Sequence, residues 1–119
     1  MKDNQHEQLF TELTAAEAAA VEGGKGFTDN IRIDPYDVTK VFNVRPGGTI
    51  KLFSNTKSVP SNPSFAAIIR NVDTNNSNGK IASVGEDTTT WTNIRGGRYV
   101  IDFRDDKLVT GNIKVDYTS

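Results

Sequence analysis

The sequence contains no cysteine and only one histidine, His6. Without thiols the chain has no disulfide, no zinc-thiolate centre and no thiol nucleophile. Because His6 lies within the first 24 residues, residues 25–119 have no imidazole to serve as a general base or metal ligand near neutral pH. These absences argue against an enzyme, and we expect no cofactor.

Long apolar runs are also missing. The longest, 18–21 and 65–69, fall far short of the roughly 20 apolar residues of a membrane-spanning helix, so we expect a soluble protein with no membrane span. Residues 1–24 carry one lysine and five acidic residues, for a net charge of −4, whereas residues 25–119 carry 13 basic and 10 acidic residues, for +3. The basic residues are interspersed with acidic ones, which argues against a nucleic-acid partner.

The 119 residues have room for one folded domain, and the composition changes at Gly23-Gly24. Before the glycines the chain is rich in Ala and Glu, and Thr14-Ala15-Ala16-Glu17 fits a capping box. This pattern predicts a short helix from about Ala15 to Glu22, which the two glycines terminate. The sequence therefore divides into residues 1–24 and residues 25–119.

After Gly26 the apolar residues alternate with polar ones, as in half-buried strands, and turn residues separate the alternating stretches. One long loop is predicted over 54–64, which contains two prolines. We predict an all-β class, an antiparallel β-sandwich of jelly-roll-like type with seven to eight strands, preceded by the short N-terminal helix. The predicted core consists of Phe42, Ile50, Leu52, Ile68, Trp91, Tyr99, Ile101, Phe103, Ile113 and Val115.

Residues 1–24 lack the apolar stretch of a secretory signal peptide. In a helix, Phe10, Leu13, Glu17 and Val21 fall within a stripe of about 80°. A carboxylate inside an apolar stripe is costly to bury in a core, whereas a peptide that docks in a groove can use it to set its register. The stripe predicts a docking helix.

The spacing of Leu13, Glu17, Val21 and Gly23-Gly24 resembles the double-glycine leaders of class II bacteriocins, microcin-like peptides and related small secreted proteins. Ala18 departs from the Leu or Met usual after the Glu. The resemblance implies recognition by the peptidase domain of an ABC exporter through Phe10, Leu13, Glu17 and Val21. It also implies cleavage after Gly23-Gly24, with a cytoplasmic precursor and a secreted product, residues 25–119.

Three segments, the apolar strand 38–44, the glycine-rich turn and strand 47–52, and the later Gly-Gly-x-Tyr strand within 94–101, together resemble the bacterial pre-peptidase C-terminal domain and related jelly-roll modules. That resemblance implies an extracellular accessory or adhesive domain with no chemistry of its own. The alternating segments 38–44 and 97–103 could pair between molecules if their edges are open, so self-association is predicted.

Two ligand sites are considered for residues 25–119. Asp102, Asp105 and Asp106 offer oxygen ligands for Ca²⁺, although solvated turn acids are the more frequent meaning of such residues. An aromatic platform for a glycan is the second, although core packing is commoner. Its candidates are Trp91, Tyr99, Phe103 and Tyr117.

Three functions follow. The favoured one is a secreted, non-enzymatic structural or adhesive protein of the cell surface or biofilm matrix, as found among double-glycine cargoes of cyanobacteria and other bacteria. The second is a bacteriocin-like antimicrobial or signalling protein, against which stands the lack of an amphipathic membrane-active segment. The third is a carbohydrate- or calcium-binding module.

Overall fold

A computed structural model describes residues 24–59 and 62–119 of the chain. These residues form nine strands and no helix. The strands are β1 (Gly24–Ile33), β2 (Tyr36–Val38), β3 (Phe42–Val44), β4 (Gly48–Val59), β5 (Ser64–Asn71), β6 (Ser77–Ser83), β7 (Gly85–Ile94), β8 (Gly97–Arg104) and β9 (Leu108–Thr118). Within these two ranges no helical segment has the length and hydropathy needed to cross a membrane.

The strands form two antiparallel sheets. The first has the order β1-β9-β4-β7, and the second has the order β2-β8-β5-β6, with β3 also paired to β8. The predicted all-β antiparallel sandwich is confirmed. The strand number exceeds the prediction because β2 and β3 are two short pieces along one edge of β8. Between them Thr39 donates its backbone N–H to Ile101 O (3.0 Å) and accepts from Ile101 N through its hydroxyl (3.0 Å).

The core lies between the sheets, where alternate residues of each strand point inward. Nine of the ten predicted core residues are buried, and Ile68 is the exception. In β5 the inward positions are Phe65, Ala67 and Ile69, so Ile68 lies half-buried on the opposite face. The alternation could not be read there because 65–69 is apolar throughout.

The long loop predicted over 54–64 is wrong for its first half, because β4 continues to Val59. Ser54 is fully buried and Thr56 is 6% exposed, so small hydroxyl side chains occupy the inward positions of this part of the strand. Because Ser54 and Thr56 are polar, the sequence pattern indicated a loop where β4 continues as a buried strand. β4 therefore pairs along its length with β9 and β7 and forms the middle of the first sheet.

Candidate functional site

The predicted leader lies almost entirely outside the described residues, which exclude Phe10, Leu13, Glu17, Val21 and Gly23. Gly24 is described, and β1 begins with it. Gly24 is paired with Thr118 of β9, and Lys25 is paired with Tyr117. The predicted cleavage point between Gly24 and Lys25 therefore lies within the described part of β1, between two residues that are paired with β9.

The calcium candidates do not form one site. Asp102 is unavailable because both of its carboxylate oxygens accept hydrogen bonds from protein donors. Asp105 accepts through Oδ2 from the Asn62 side-chain amide (2.6 Å) and from Lys107 N (3.2 Å), while Asp106 is exposed. Within the described part of the chain, no three Asp, Glu or His side chains come close enough together to hold a metal ion.

The proposed aromatic platform is wrong. Trp91, Tyr99 and Phe103 are 1%, 6% and 0% exposed and belong to the core, so they offer no face to a sugar. Tyr117 is half-buried and packs with Phe42, with ring centroids 4.8 Å apart, and with Phe27, at 6.4 Å. These rings stabilise the end of the sandwich where β1 begins.

The most unusual polar group of the domain is Asp102, which is 3% exposed although its side chain points away from the core. Arg70 of β5 approaches it diagonally and donates Nε to Oδ2 (2.8 Å) and Nη2 to Oδ1 (3.2 Å). Tyr36 of β2 approaches from the other neighbouring strand and donates its hydroxyl to Oδ1 (2.7 Å). Two cross-strand neighbours therefore cover and satisfy the carboxylate.

These contacts set the charge states of the group. Burial raises the pKa of Asp102, but the hydrogen bonds from Arg70 and Tyr36 outweigh it and hold that pKa below its ordinary value. The hydrogen bond to Asp102, together with burial, raises the pKa of the Tyr36 hydroxyl. At neutral pH the aspartate is therefore ionised, and the tyrosine keeps its proton.

Two clefts flank Tyr36 and Arg104 on this outer face of the second sheet. The Arg104 cleft, of about 490 Å³, is lined by Tyr36, Ile68, Arg70, Asn75, Ser77, Asp102 and Arg104. The other, of about 530 Å³, is lined by Pro35, Tyr36, Arg104, Asp105 and Asp106. Two arginines face one aspartate in the first cleft, whereas one arginine faces two aspartates in the second, so the two clefts differ in the sign of their charge.

Arg104 is an exposed cation on this surface. Its side chain is exposed, and its guanidinium carbon lies 5.8 Å from the centroid of the Tyr36 ring. Among the described residues it forms no ion pair with a carboxylate, in contrast to Arg70 with Asp102 and Arg98 with Asp73. Its position opposite Tyr36 in the β2–β8 pairing holds it at the mouth of both clefts.

The sequence alone did not reveal this group of side chains. Strand alternation around Ile101 and Phe103 places Asp102 and Arg104 on the outer face of β8, where Asp102 is nevertheless covered. The available signal was weak: an aspartate within the apolar run 99–103, and an arginine that directly follows the apolar run 65–69. The contact between Asp102 and Arg70 can be recognised only once β2 and β5 are known to flank β8.

The edges of the sheets bear on self-association. Segment 97–103 cannot pair between molecules as predicted, because β8 is an inner strand with neighbours on both sides. Segment 38–44 lies along β8 as part of an outer edge. The expectation that segment 97–103 is an open edge is therefore wrong. Whether segment 38–44 can pair with a second molecule depends on which side chains cover it.

A carboxylate bridges the two sheets at each side of the sandwich, and we call these the aspartate clasps. Asp37 accepts from Val38 N of β2 through Oδ1 (2.8 Å) and from Arg32 N of β1 through Oδ2 (2.8 Å). Asp87 accepts from Thr88 N of β7 (2.8 Å) and from Ser83 N of β6 (2.7 Å) in the same way. Each clasp occupies edge amides of both sheets.

Lysines add to the clasps at the same two sides. Lys80 of β6 donates Nζ to Thr90 O of β7 (2.6 Å), which occupies an edge carbonyl of the first sheet. Lys40, between β2 and β3, lies over the Phe27 ring of β1 with Nζ 4.8 Å from the centroid. Side chains thus occupy backbone groups that an exposed edge strand would otherwise present to a second chain.

No protein-family model matches the sequence, and no curated protein matches it. Among solved structures, a protein of the Bacillus endospore appendages, which form disulfide-linked pili, is 10% identical with a TM-score of 0.48 over 82% of this chain and 89% of that one. A de novo designed double-stranded β-helix is 12% identical with a TM-score of 0.37, over 76% and 97% of the two chains.

A third structure is PliG from Salmonella Typhimurium, a periplasmic lysozyme inhibitor of g-type lysozyme. It is 13% identical with a TM-score of 0.39, over 82% of this chain and 91% of that one. At such distances these neighbours carry no argument about function, and the chain's own residues have to supply it.

Proposed function

We propose that the chain is the precursor of a secreted, non-enzymatic protein. Residues 1–24 are the leader, which the peptidase domain of an ABC exporter binds through Phe10, Leu13, Glu17 and Val21 and cuts after Gly24. Residues 25–119 are the product, a β-sandwich that acts outside the cell as a structural or adhesive module of the surface or matrix.

One observation is compatible with this proposal: nine of the ten described residue pairs between β1 and β9 lie after the proposed cut. Cleavage there leaves a product that starts at Lys25, whose pairing with Tyr117 and all later pairs of the ladder remain intact. The product would therefore lose only one of the ten residue pairs that hold β1 to β9. A cut several residues later would remove paired residues from an edge of the sandwich.

The charge distribution also supports a division of roles. Residues 1–24 have a net charge of −4 and residues 25–119 have +3, so the two parts differ in sign as well as in composition. An acidic leader with an apolar stripe suits a groove that selects by apolar anchors and one carboxylate. The sandwich contributes none of those anchors.

Cleavage of the full chain by the peptidase domain of a double-glycine exporter tests the proposal. We expect a single product with Lys25 at its N-terminus, detected by mass spectrometry. Replacing Glu17 with alanine should slow cleavage about tenfold or more, because a central anchor of a docked helix carries a large share of the binding energy.

Glu12→Ala is the matched control, since at about 100° per residue Glu12 lies roughly 140° from Glu17 and outside the stripe of anchors. It should be cleaved at nearly the wild-type rate. An uncut chain, a cut at another bond, or equal slowing by Glu12→Ala and Glu17→Ala would each count against the leader. Detection of the 25–119 product in the culture medium then tests secretion itself.

A further inference from the structure

We propose that the Arg104 cleft binds a carboxylated sugar unit of an acidic polysaccharide. The argument rests on the charge of the cleft, on the fixed orientation of its donors and on the exposed ring that forms its wall. The ligand class gives the proposed adhesive role a target, and to that extent the inference rests on the proposed function. The evidence for the cleft itself does not involve the leader.

The charge of the cleft favours an anion. Arg104 has no carboxylate partner among the described residues, and Arg70 stands beside it with only one carboxylate, Asp102, to neutralise both. A guanidinium is matched to a carboxylate because it can donate two parallel N–H bonds. The neighbouring cleft, which contains Asp105 and Asp106, repels the same group and so directs it to one side of Tyr36.

Arg70 is held ready to be the second donor. Its Nε and Nη2 donate to Asp102, which fixes the plane of the guanidinium at the wall of the cleft. A side chain already ordered by a buried carboxylate loses little further freedom when a ligand binds. Asp102 is thus a positioning residue: it orients Arg70 and Tyr36 rather than contacting the ligand.

The remaining lining suits a sugar better than an acidic peptide. The Tyr36 side chain is 45% exposed and offers an aromatic surface. Asn75 and Ser77 add amide and hydroxyl groups that can exchange hydrogen bonds with sugar hydroxyls. Asn75 is held in the left-handed conformation, with φ 66°, by a turn in which its N–H donates to Asn71 O (2.8 Å).

The size of the cleft, about 490 Å³, lies within the range of roughly 300–1,000 Å³ seen for small-ligand sites. It lies on the outer face of the second sheet. A polymer can therefore place one unit in the cleft while its neighbours continue along the surface. This arrangement fits recognition of one acidic unit within a longer chain.

The test is a titration of the full chain with trigalacturonate, followed by NMR shifts and by calorimetry, with maltotriose and triglutamate as comparison ligands. We expect saturable binding of trigalacturonate, with shifts centred on Tyr36, Asn75 and Arg104. Maltotriose lacks the charge and triglutamate lacks the sugar ring, so both should bind at least about tenfold more weakly. Added salt should weaken the binding.

Arg104→Ala should weaken trigalacturonate binding about tenfold or more, since a charge-assisted hydrogen bond is lost. Arg104→Lys keeps the charge but not the paired N–H donors of a guanidinium. Its affinity for trigalacturonate should lie between those of the wild type and Arg104→Ala. Arg98→Ala is the matched control, because Arg98 is an equally exposed arginine paired with Asp73 elsewhere. Its affinity should equal that of the wild type.

The proposal is overturned if trigalacturonate does not bind, if Arg104→Ala binds as the wild type does, or if triglutamate binds as tightly as the sugar. The last result would identify an acidic peptide as the ligand. Because leader cleavage is measured separately, a failed titration with normal cleavage would reject only the sugar site. Failed cleavage with normal titration would reject only the export proposal.

Discussion

Replacing Asp102 with alanine should lower the free energy of unfolding by about 2 to 4 kcal/mol. The substitution leaves the Arg70 guanidinium and the Tyr36 hydroxyl without the acceptor that both share. The upper part of the range applies to fully buried pairs, and the Arg70 side chain is 32% exposed, which reduces the loss. Urea unfolding followed by circular dichroism measures the change.

Two further variants separate the causes of that loss. Asp73→Ala breaks the exposed ion pair with Arg98 and should leave the unfolding midpoint nearly unchanged, because water screens that pair. The triple variant Tyr36→Phe/Arg70→Met/Asp102→Leu should recover most of the stability, since it leaves no uncompensated charge. An unfolding free energy of Asp102→Ala equal to that of the wild type would contradict the hydrogen bonds assigned to Asp102.

The same carboxylate predicts a pH dependence. Because the pKa of Asp102 is lower in the folded than in the unfolded chain, its stabilisation is fully present above the ordinary Asp value of about 3.9. It is lost as the pH falls from there through the lower, folded-state pKa. Asp102→Asn should therefore differ most from the wild type at neutral pH, and the difference should shrink in acid.

Removing both aspartate clasps, with Asp37→Ala/Asp87→Ala, should increase assembly of the domain through its sheet edges. Each substitution releases two backbone amides, one on each sheet, at a cost of about 1 to 2 kcal/mol for each half-buried clasp. Free edge amides are templates for another strand. Light scattering after size-exclusion chromatography and thioflavin fluorescence would detect the assembly.

Asp29→Ala is the control for the clasps. Among the described residues Asp29 accepts from Asn30 N on its own strand, a hydrogen bond that links no two sheets. This variant should have the wild-type mass. If the double variant also keeps the wild-type mass at every concentration tested, the clasps do not protect the edges.

Much of the sandwich could be predicted because alternation is a local signal. In β9, Ile113 and Val115 alternate with polar residues and are buried as expected. The signal failed where composition was uniform: Ile68 lies within five apolar residues, and Ser54 within a polar stretch. Burial there is decided by neighbouring strands, which the local sequence does not identify.

The candidate site was beyond prediction for a related reason. Tyr36, Arg70 and Asp102 come from three strands, and their contact depends on the order β2-β8-β5. The clasps require the same kind of knowledge, because Asp37 and Asp87 resemble any aspartate near a turn until the edges they connect are known. The residue types indicated which side chains could ionise or donate hydrogen bonds. Which of them lie close together follows only from the order of the strands.

The partnership of β1 with β9 has a consequence for the time course of folding. The first described strand is paired along its whole length with the last, and β9 also lies between β1 and β4. A chain that emerges N-terminus first, from a ribosome or from a channel, cannot close its first sheet until residue 118 is out. Such non-local pairing makes folding slow. The strand order therefore delays closure of the first sheet until nearly the whole chain has emerged.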